Sequence, residues 1–123
     1  MRARLRAASP STASVLTKAT RRAAKLLDVS NAALADVLGV SPSTISRLSD
    51  ERPIDPTSDE GERALLFLRI FRGLDALLGD TDSRRRWLHK ENTHLSGVPA
   101  DLIRSVEGLV NVTQYLDAMR GKH

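Results

Sequence analysis

Two histidines, His89 and His94, stand five residues apart in the stretch WLHKENTHLSGVPADLI, Trp87 to Ile103. Histidines so close invite a metal site, but zinc or iron normally takes three or four ligands in suitable positions. Glu91 and Asp101 are nearby, yet no carboxylate is spaced as a third ligand, and the chain has no Cys to supply a thiolate. The hydroxyls Ser96 and Ser105 lack a His and a carboxylate at the spacing of a nucleophilic triad. Gly97 and Gly108 stand alone, so no glycine-rich loop is present to cradle phosphate. These residues point away from an enzyme: no catalytic residue, metal or cofactor is assigned. What remains for the stretch is shape. Trp87-Leu88 can anchor a helix, Asn92 and Gly97 suit special loop conformations, and Pro99 suits the first position of a new helix.

The elements that hold this stretch are helical. Leu and Ala dominate the 123 residues, aromatics make up 3%, and every periodic segment has helical spacing. The expected fold class is all-α, with an N-terminal helical domain packed with a C-terminal helical domain. The longest apolar run, Ala64 to Leu68, is far too short for a membrane span. The N-terminus MRARLRAASPSTAS is basic and lacks the apolar segment of a signal peptide, so a cytoplasmic protein is expected.

Charge is unevenly spread. Residues 1–25 hold seven basic residues and no acidic one, whereas residues 26–60 hold two basic and seven acidic. A basic flexible arm is expected over 1–11, able to reach an anionic polymer. From Thr12 to Leu27 the residues Val15, Leu16, Ala19, Ala23, Leu26 and Leu27 form an apolar stripe, with Lys18, Arg21, Arg22 and Lys25 mostly off it.

The next segment, VSNAALADVLGVSPSTISRLSDER, reads as two short helices around a turn. Ser30 caps the first, Gly39 ends it, Ser41 caps the second, and Pro42 opens it. Leu34, Leu38, Val40, Ile45 and Leu48 face inward, with Ala35 small at the crossing, which is helix-turn-helix spacing. Over about Thr12 to Arg52 the chain resembles the phage-repressor-like Xre family. In that geometry the second helix enters the major groove, and Ser41, Ser43, Thr44, Ser46 and Arg47 are the DNA-facing residues, with Arg52 beside them. Only Arg47 can grip guanine in a bidentate manner. Asp50 and Glu51 oppose phosphate, so one copy should bind weakly and a homodimer on paired half-sites is expected.

A break at RPIDPTSDE, Arg52 to Glu60, separates a DNA-binding region over 12–57 from a second region over 58–123. The second region opens with a helix from Gly61 to about Leu78. Its ALLFLRIF segment is apolar almost all round, as in a central helix or one shared across a dimer. A short helix follows, capped by Thr81 or Asp82. Arg84, Arg85 and Arg86 are expected outside it, with Trp87 and Leu88 inside. The last helix runs from about Val106 to Arg120 with Leu109, Val112, Leu116 and Met119 inward.

The order Gly79-Asp80, Arg84-Arg85-Arg86-Trp87-Leu88, Asn92-Thr93-His94-Leu95-Ser96-Gly97, Pro99-Ala100-Asp101-Leu102, Gly108 and Val112 to Leu116 resembles the toxin-binding domain of the Xre/MbcA/ParS antitoxins. Ser96 stands where that family often has Gly, Glu91 where it has Pro, and Val98 adds an apolar residue before Pro99. The resemblance implies a type II antitoxin without chemistry of its own. Its partner would be a RES-domain toxin, which consumes NAD, or a relative that transfers ADP-ribose. It would cover that toxin's active-site cleft and repress their shared promoter. Trp87, Asn92, Leu95, Gly97, Pro99, Arg120, Lys122 and His123 are then the toxin-facing residues. The basic end formed by Arg120, Lys122 and His123 suits a pocket built for a phosphate-rich cofactor, or is simply a frayed helix end. A stand-alone repressor whose C-terminal half only dimerises shares the same helix-turn-helix. The antitoxin reading differs in expecting a C-terminal surface that stays apolar until a partner covers it.

Overall fold

The computed structural model describes residues 10–121. Seven α-helices follow one another in this span: α1 (Pro10–Leu26), α2 (Asn31–Leu38), α3 (Pro42–Arg47), α4 (Asp59–Leu78), α5 (Thr81–His89), α6 (Pro99–Leu102) and α7 (Val106–Arg120). No strand occurs among the described residues, and the one antiparallel bridge joins Asn92 to Gly97. The basic arm expected over 1–11 lies, for residues 1–9, outside the described residues.

The helix boundaries follow from local chemistry. Ser30, Ser41, Ser58 and Ser105 each accept a hydrogen bond from the backbone N–H three residues on, satisfying a donor that the first turn leaves free. The caps Ser30 and Ser41 agree with the sequence pattern, while α5 differs. Its cap is Asp80, which accepts from Ser83 N at 2.8 Å and from the Ser83 hydroxyl at 2.9 Å, rather than Thr81 or Asp82. These donated bonds hold the Asp80 carboxyl below its ordinary value.

Helix α4 is the axis of the fold. α1 and α2 pack on it from the N-terminal side, α5 and α7 from the C-terminal side. Its buried residues Ala64, Phe67, Leu68, Ile70 and Leu74 join those of the other helices in one apolar cluster reaching from Leu16 to Leu116. Each large side chain buried this way contributes roughly 1.5–3 kcal/mol, so the near-continuous apolar character of α4 reflects neighbours on several sides. Gly73 sits where α7 crosses: a Cβ there would lie 3.3 Å from the Leu116 Cβ.

Two inward expectations and one outward expectation are corrected. Val15 is 67% exposed, because the part of α1 that carries it lies over a groove beside α4 rather than inside the core. Met119, at the far end of α7, is 39% exposed, while Leu109, Val112 and Leu116 are buried. The arginine run does not lie outside as a block. Arg84 is buried at 8%, pairs with Asp75 at 2.8 Å and lies 5.7 Å over the Phe71 ring. Arg85 is half-buried against the end of α1.

Candidate DNA- and partner-binding surfaces

The turn between α2 and α3 depends on Gly39, which takes φ 73° and ends α2 with its N–H on the Asp36 carbonyl. That left-handed conformation strains any residue with a Cβ. A Cβ here would also come within 2.4 Å of the Arg63 guanidinium from α4. Val40 N then donates to Ala35 O at 2.9 Å, closing the turn. Leu34, Ala35, Leu38, Ile45 and Leu48 are buried, and Val40 packs against them half-covered.

This packing leaves one face of α3 open. Ser41, Ser43, Ser46 and Arg47 are exposed and Thr44 is half-buried. The hydroxyls are partly engaged: Ser41 Oγ lies 2.9 Å from Thr44 Oγ1 and 3.1 Å from Ser43 Oγ, and Ser46 Oγ reaches Pro42 O at 3.4 Å. Arg47 has no hydrogen bond or ion pair among the described residues. Arg52 behaves otherwise. Its guanidinium turns back onto its own linker, donating to Pro53 O at 3.0 Å and to Glu60 at 3.4 Å.

At the other end of the molecule the segment after α5 forms a compact loop. Asn92 and Gly97 exchange both backbone hydrogen bonds, at 2.8 and 3.2 Å, and Asn92 Oδ1 accepts from Leu95 N at 3.1 Å. Neither Asn92 nor Gly97 takes positive φ; Ser96 does, at 61°. Gly97 serves by size instead, since a Cβ there would meet Leu102 Cδ2 at 3.2 Å. Pro99 is buried and opens α6, and Leu95 is half-buried. Trp87 stacks on Tyr115 of α7 with centroids 6.3 Å apart, and His94 stacks on the same ring at 6.1 Å. Beside this stack lies a surface cleft of about 430 Å³ lined by His94, Leu95, Leu102, Asn111, Gln114 and Tyr115.

Residues 73–122 match the model of the antitoxin Xre/MbcA/ParS C-terminal toxin-binding domain, and residues 6–69 match that of the antitoxin Xre-like helix-turn-helix domain. The chain belongs to the Xre/MbcA/ParS antitoxin family. No curated protein matches it. The antitoxin thus pairs a DNA-binding helix-turn-helix with a toxin-binding domain, and both share α4 and one core. No helix among the described residues is long and apolar enough to cross a membrane.

Within the antitoxin, the two histidines are drawn to different work. His89 Nε2 donates to Leu27 O at 2.8 Å, fixing α5 to the end of α1, while His94 stays exposed on Tyr115. Of the residues expected to face the toxin, Trp87, Asn92, Leu95, Gly97 and Pro99 come together around the loop, whereas Arg120 is exposed at the far end of α7. Lys122 and His123 lie outside the described residues. Sequence reasoning passed over Tyr115, Asn111 and Gln114. The signal was available in the helical spacing: Asn111 and Tyr115 are four apart and so share one face of α7.

Proposed function

We propose that this antitoxin neutralises a RES-domain, NAD-consuming toxin by covering its active-site cleft, and that in the cytoplasm it binds its own promoter as a homodimer and represses it. The observation that carries this reading is the union, around α4, of an open recognition helix and a matched toxin-binding domain. In this reading neutralisation is steric, by occupation of the toxin's cleft. The exposed apolar side chains Leu77, Leu78, Val106 and Met119 all belong to the C-terminal half, as a partner-covered surface requires.

The recognition helix offers a single free cation, Arg47, with Asp50 and Glu51 just beyond it. Affinity from one copy is therefore small, which favours two copies on paired half-sites. The groove between α1 and α4, where Val15 and Leu65 are exposed beside Ala19 and Leu68, supports this reading as a surface that a second copy could cover.

Co-expression with the neighbouring gene tests the reading directly. A stable complex, with growth rescued only when both proteins are made and NAD depleted when the antitoxin is withheld, is the expected result. Retained promoter binding with no associated protein would instead leave a repressor whose C-terminal half serves dimerisation.

A further inference from the structure

The face of α3 leaves a problem of charge. DNA binding draws much of its affinity from neutralised phosphates, yet α3 presents one free arginine followed by two acids. Helix α1 has the opposite balance: Lys18, Arg21, Arg22 and Lys25 with no acidic residue along its length. Three of these four converge on a cleft of about 600 Å³ between α1 and the start of α2. It is lined by Arg21, Arg22, Lys25, Val29, Ser30 and Asn31, together with Ala24 and Leu34, and by no carboxylate.

The cations of this cleft are not consumed by the fold. None of the four ion pairs of the described residues involves Arg21, Arg22 or Lys25. Arg21 is placed by one bond, from Nη1 to Ile45 O at 2.8 Å, which ties the cleft to the C-terminal end of the recognition helix. Arg22 and Lys25 are exposed and have no side-chain partner. Like charges held in one concave site repel, and a bound anion relieves that repulsion.

We infer that the α1–α2 cleft is a seat for a backbone phosphate of DNA, with Arg22 and Lys25 as the contacting residues and Arg21 as the positioning residue that sets the cleft against α3. The inference rests on the DNA-binding reading above. In helix-turn-helix docking the first helix of the motif crosses the sugar-phosphate backbone while the second enters the groove. Here the first helix is α2, and the cleft opens beside its first residues. The division of labour follows: α3 reads bases through Arg47, while α1 supplies the sequence-independent grip that α3 lacks.

The test measures binding of the full chain to a duplex taken from directly upstream of its own coding sequence, over a series of salt concentrations. Each phosphate contact contributes about 0.9 to the slope of log affinity against log salt. The double variant Arg22→Gln, Lys25→Gln empties this one phosphate seat and should therefore be shallower by about 0.9 and weaker on specific and random duplexes alike. Arg47→Ala should lose affinity on the specific duplex only. The variant Arg86→Gln, Lys90→Gln removes the same charge from α5 and its C-cap and should keep the wild-type slope. Circular dichroism confirms that each variant folds.

A wild-type slope in the cleft variant overturns the inference and leaves the DNA reading standing. An equal loss of slope in the α5 variant overturns it too, since net charge alone would then account for the effect. A wild-type chain that ignores the duplex overturns the DNA reading and the DNA seat together. If inorganic phosphate then shifted the Ser30 and Asn31 amide resonances, the cleft would be assigned to a free phosphate compound instead.

Discussion

Arg85, on the toxin-binding side of the molecule, donates through Nε to the carbonyl oxygen of Leu26, the last residue of α1, at 2.8 Å. Its Nη2 reaches Lys25 O at 3.2 Å, and His89 Nε2 meets Leu27 O at 2.8 Å. Two side chains of α5 therefore reach three consecutive carbonyls at and just past the end of α1, of which that of Lys25 also accepts from Asp28 N at 3.2 Å. Helix ends leave such carbonyls without intrahelical partners, and basic groups there also complement the helix dipole.

Replacing Arg85 by Ala should remove two of these bonds at a half-buried site. A loss of about 1–3 kcal/mol is expected, read as a lower urea midpoint with an unchanged m-value. A variant within experimental error of wild type would show that water replaces the guanidinium at no cost.

The loop gives a prediction of opposite sign. Ser96 holds φ 61°, a conformation that costs an L-residue about 1–2 kcal/mol and glycine little. Ser96→Gly should raise stability, by somewhat less than that because glycine loses more chain entropy on folding. The contrasting change, Gly39→Ala, should lower stability, since its positive φ strains any residue with a Cβ. Thermal melts of the two variants should move apart in opposite directions. A fall for Ser96→Gly would mean that the serine hydroxyl supports the loop more than its backbone strains it.

These two positions also show what the sequence makes legible. Gly39 was readable because it falls between two apolar periodicities and directly before a Ser-Pro start. Ser96 carries no such mark; it was visible only as a departure from a family that often has Gly there. The buried place of Arg84 was legible in principle. It stands four residues before buried Leu88 and so shares the inward face of α5. Val15 is the reverse case, an apolar residue on the predicted stripe that stays exposed. Periodicity marks which face is apolar, not which neighbour arrives to cover it.

Asp80 links stability to pH. Hydrogen bonds from the Ser83 backbone and hydroxyl lower its folded pKa below the ordinary 3.8. A depressed acid contributes stability that is present above the unfolded pKa and lost as pH falls through the folded one. Asp80→Asn keeps an oxygen that can cap α5 but removes the titration. Its melting temperature should therefore fall less steeply than that of the wild type as pH drops below 3.8. Parallel curves would assign the acid sensitivity to other carboxylates, Asp55 first, whose pKa the Thr57 bonds lower in the same direction.

Leu65 tests the homodimer. It is 47% exposed and borders two adjoining grooves, one shared with Val15, Ala19 and Leu68, the other with Glu62, Leu66 and Arg69. Glu62 precedes Leu65 by three residues and Arg69 follows it by four, all on one face of α4. In a homodimer with its two-fold axis through this face and the two α4 helices antiparallel, Glu62 of each copy would lie toward Arg69 of the other, which within one copy pairs with Asp117. Leu65→Asp places a charge where the apolar contact would close. Because Leu65 is nearly half exposed in one copy, the fold itself should tolerate the change. Sedimentation should then show a dimer for the wild type and a monomer for the variant. Binding to a duplex with paired half-sites should fall far more than binding to a single half-site, since only the former gains from linked copies. A variant that remains dimeric would move the two-fold axis elsewhere on the molecule and leave the Val15–Leu65 groove to another partner.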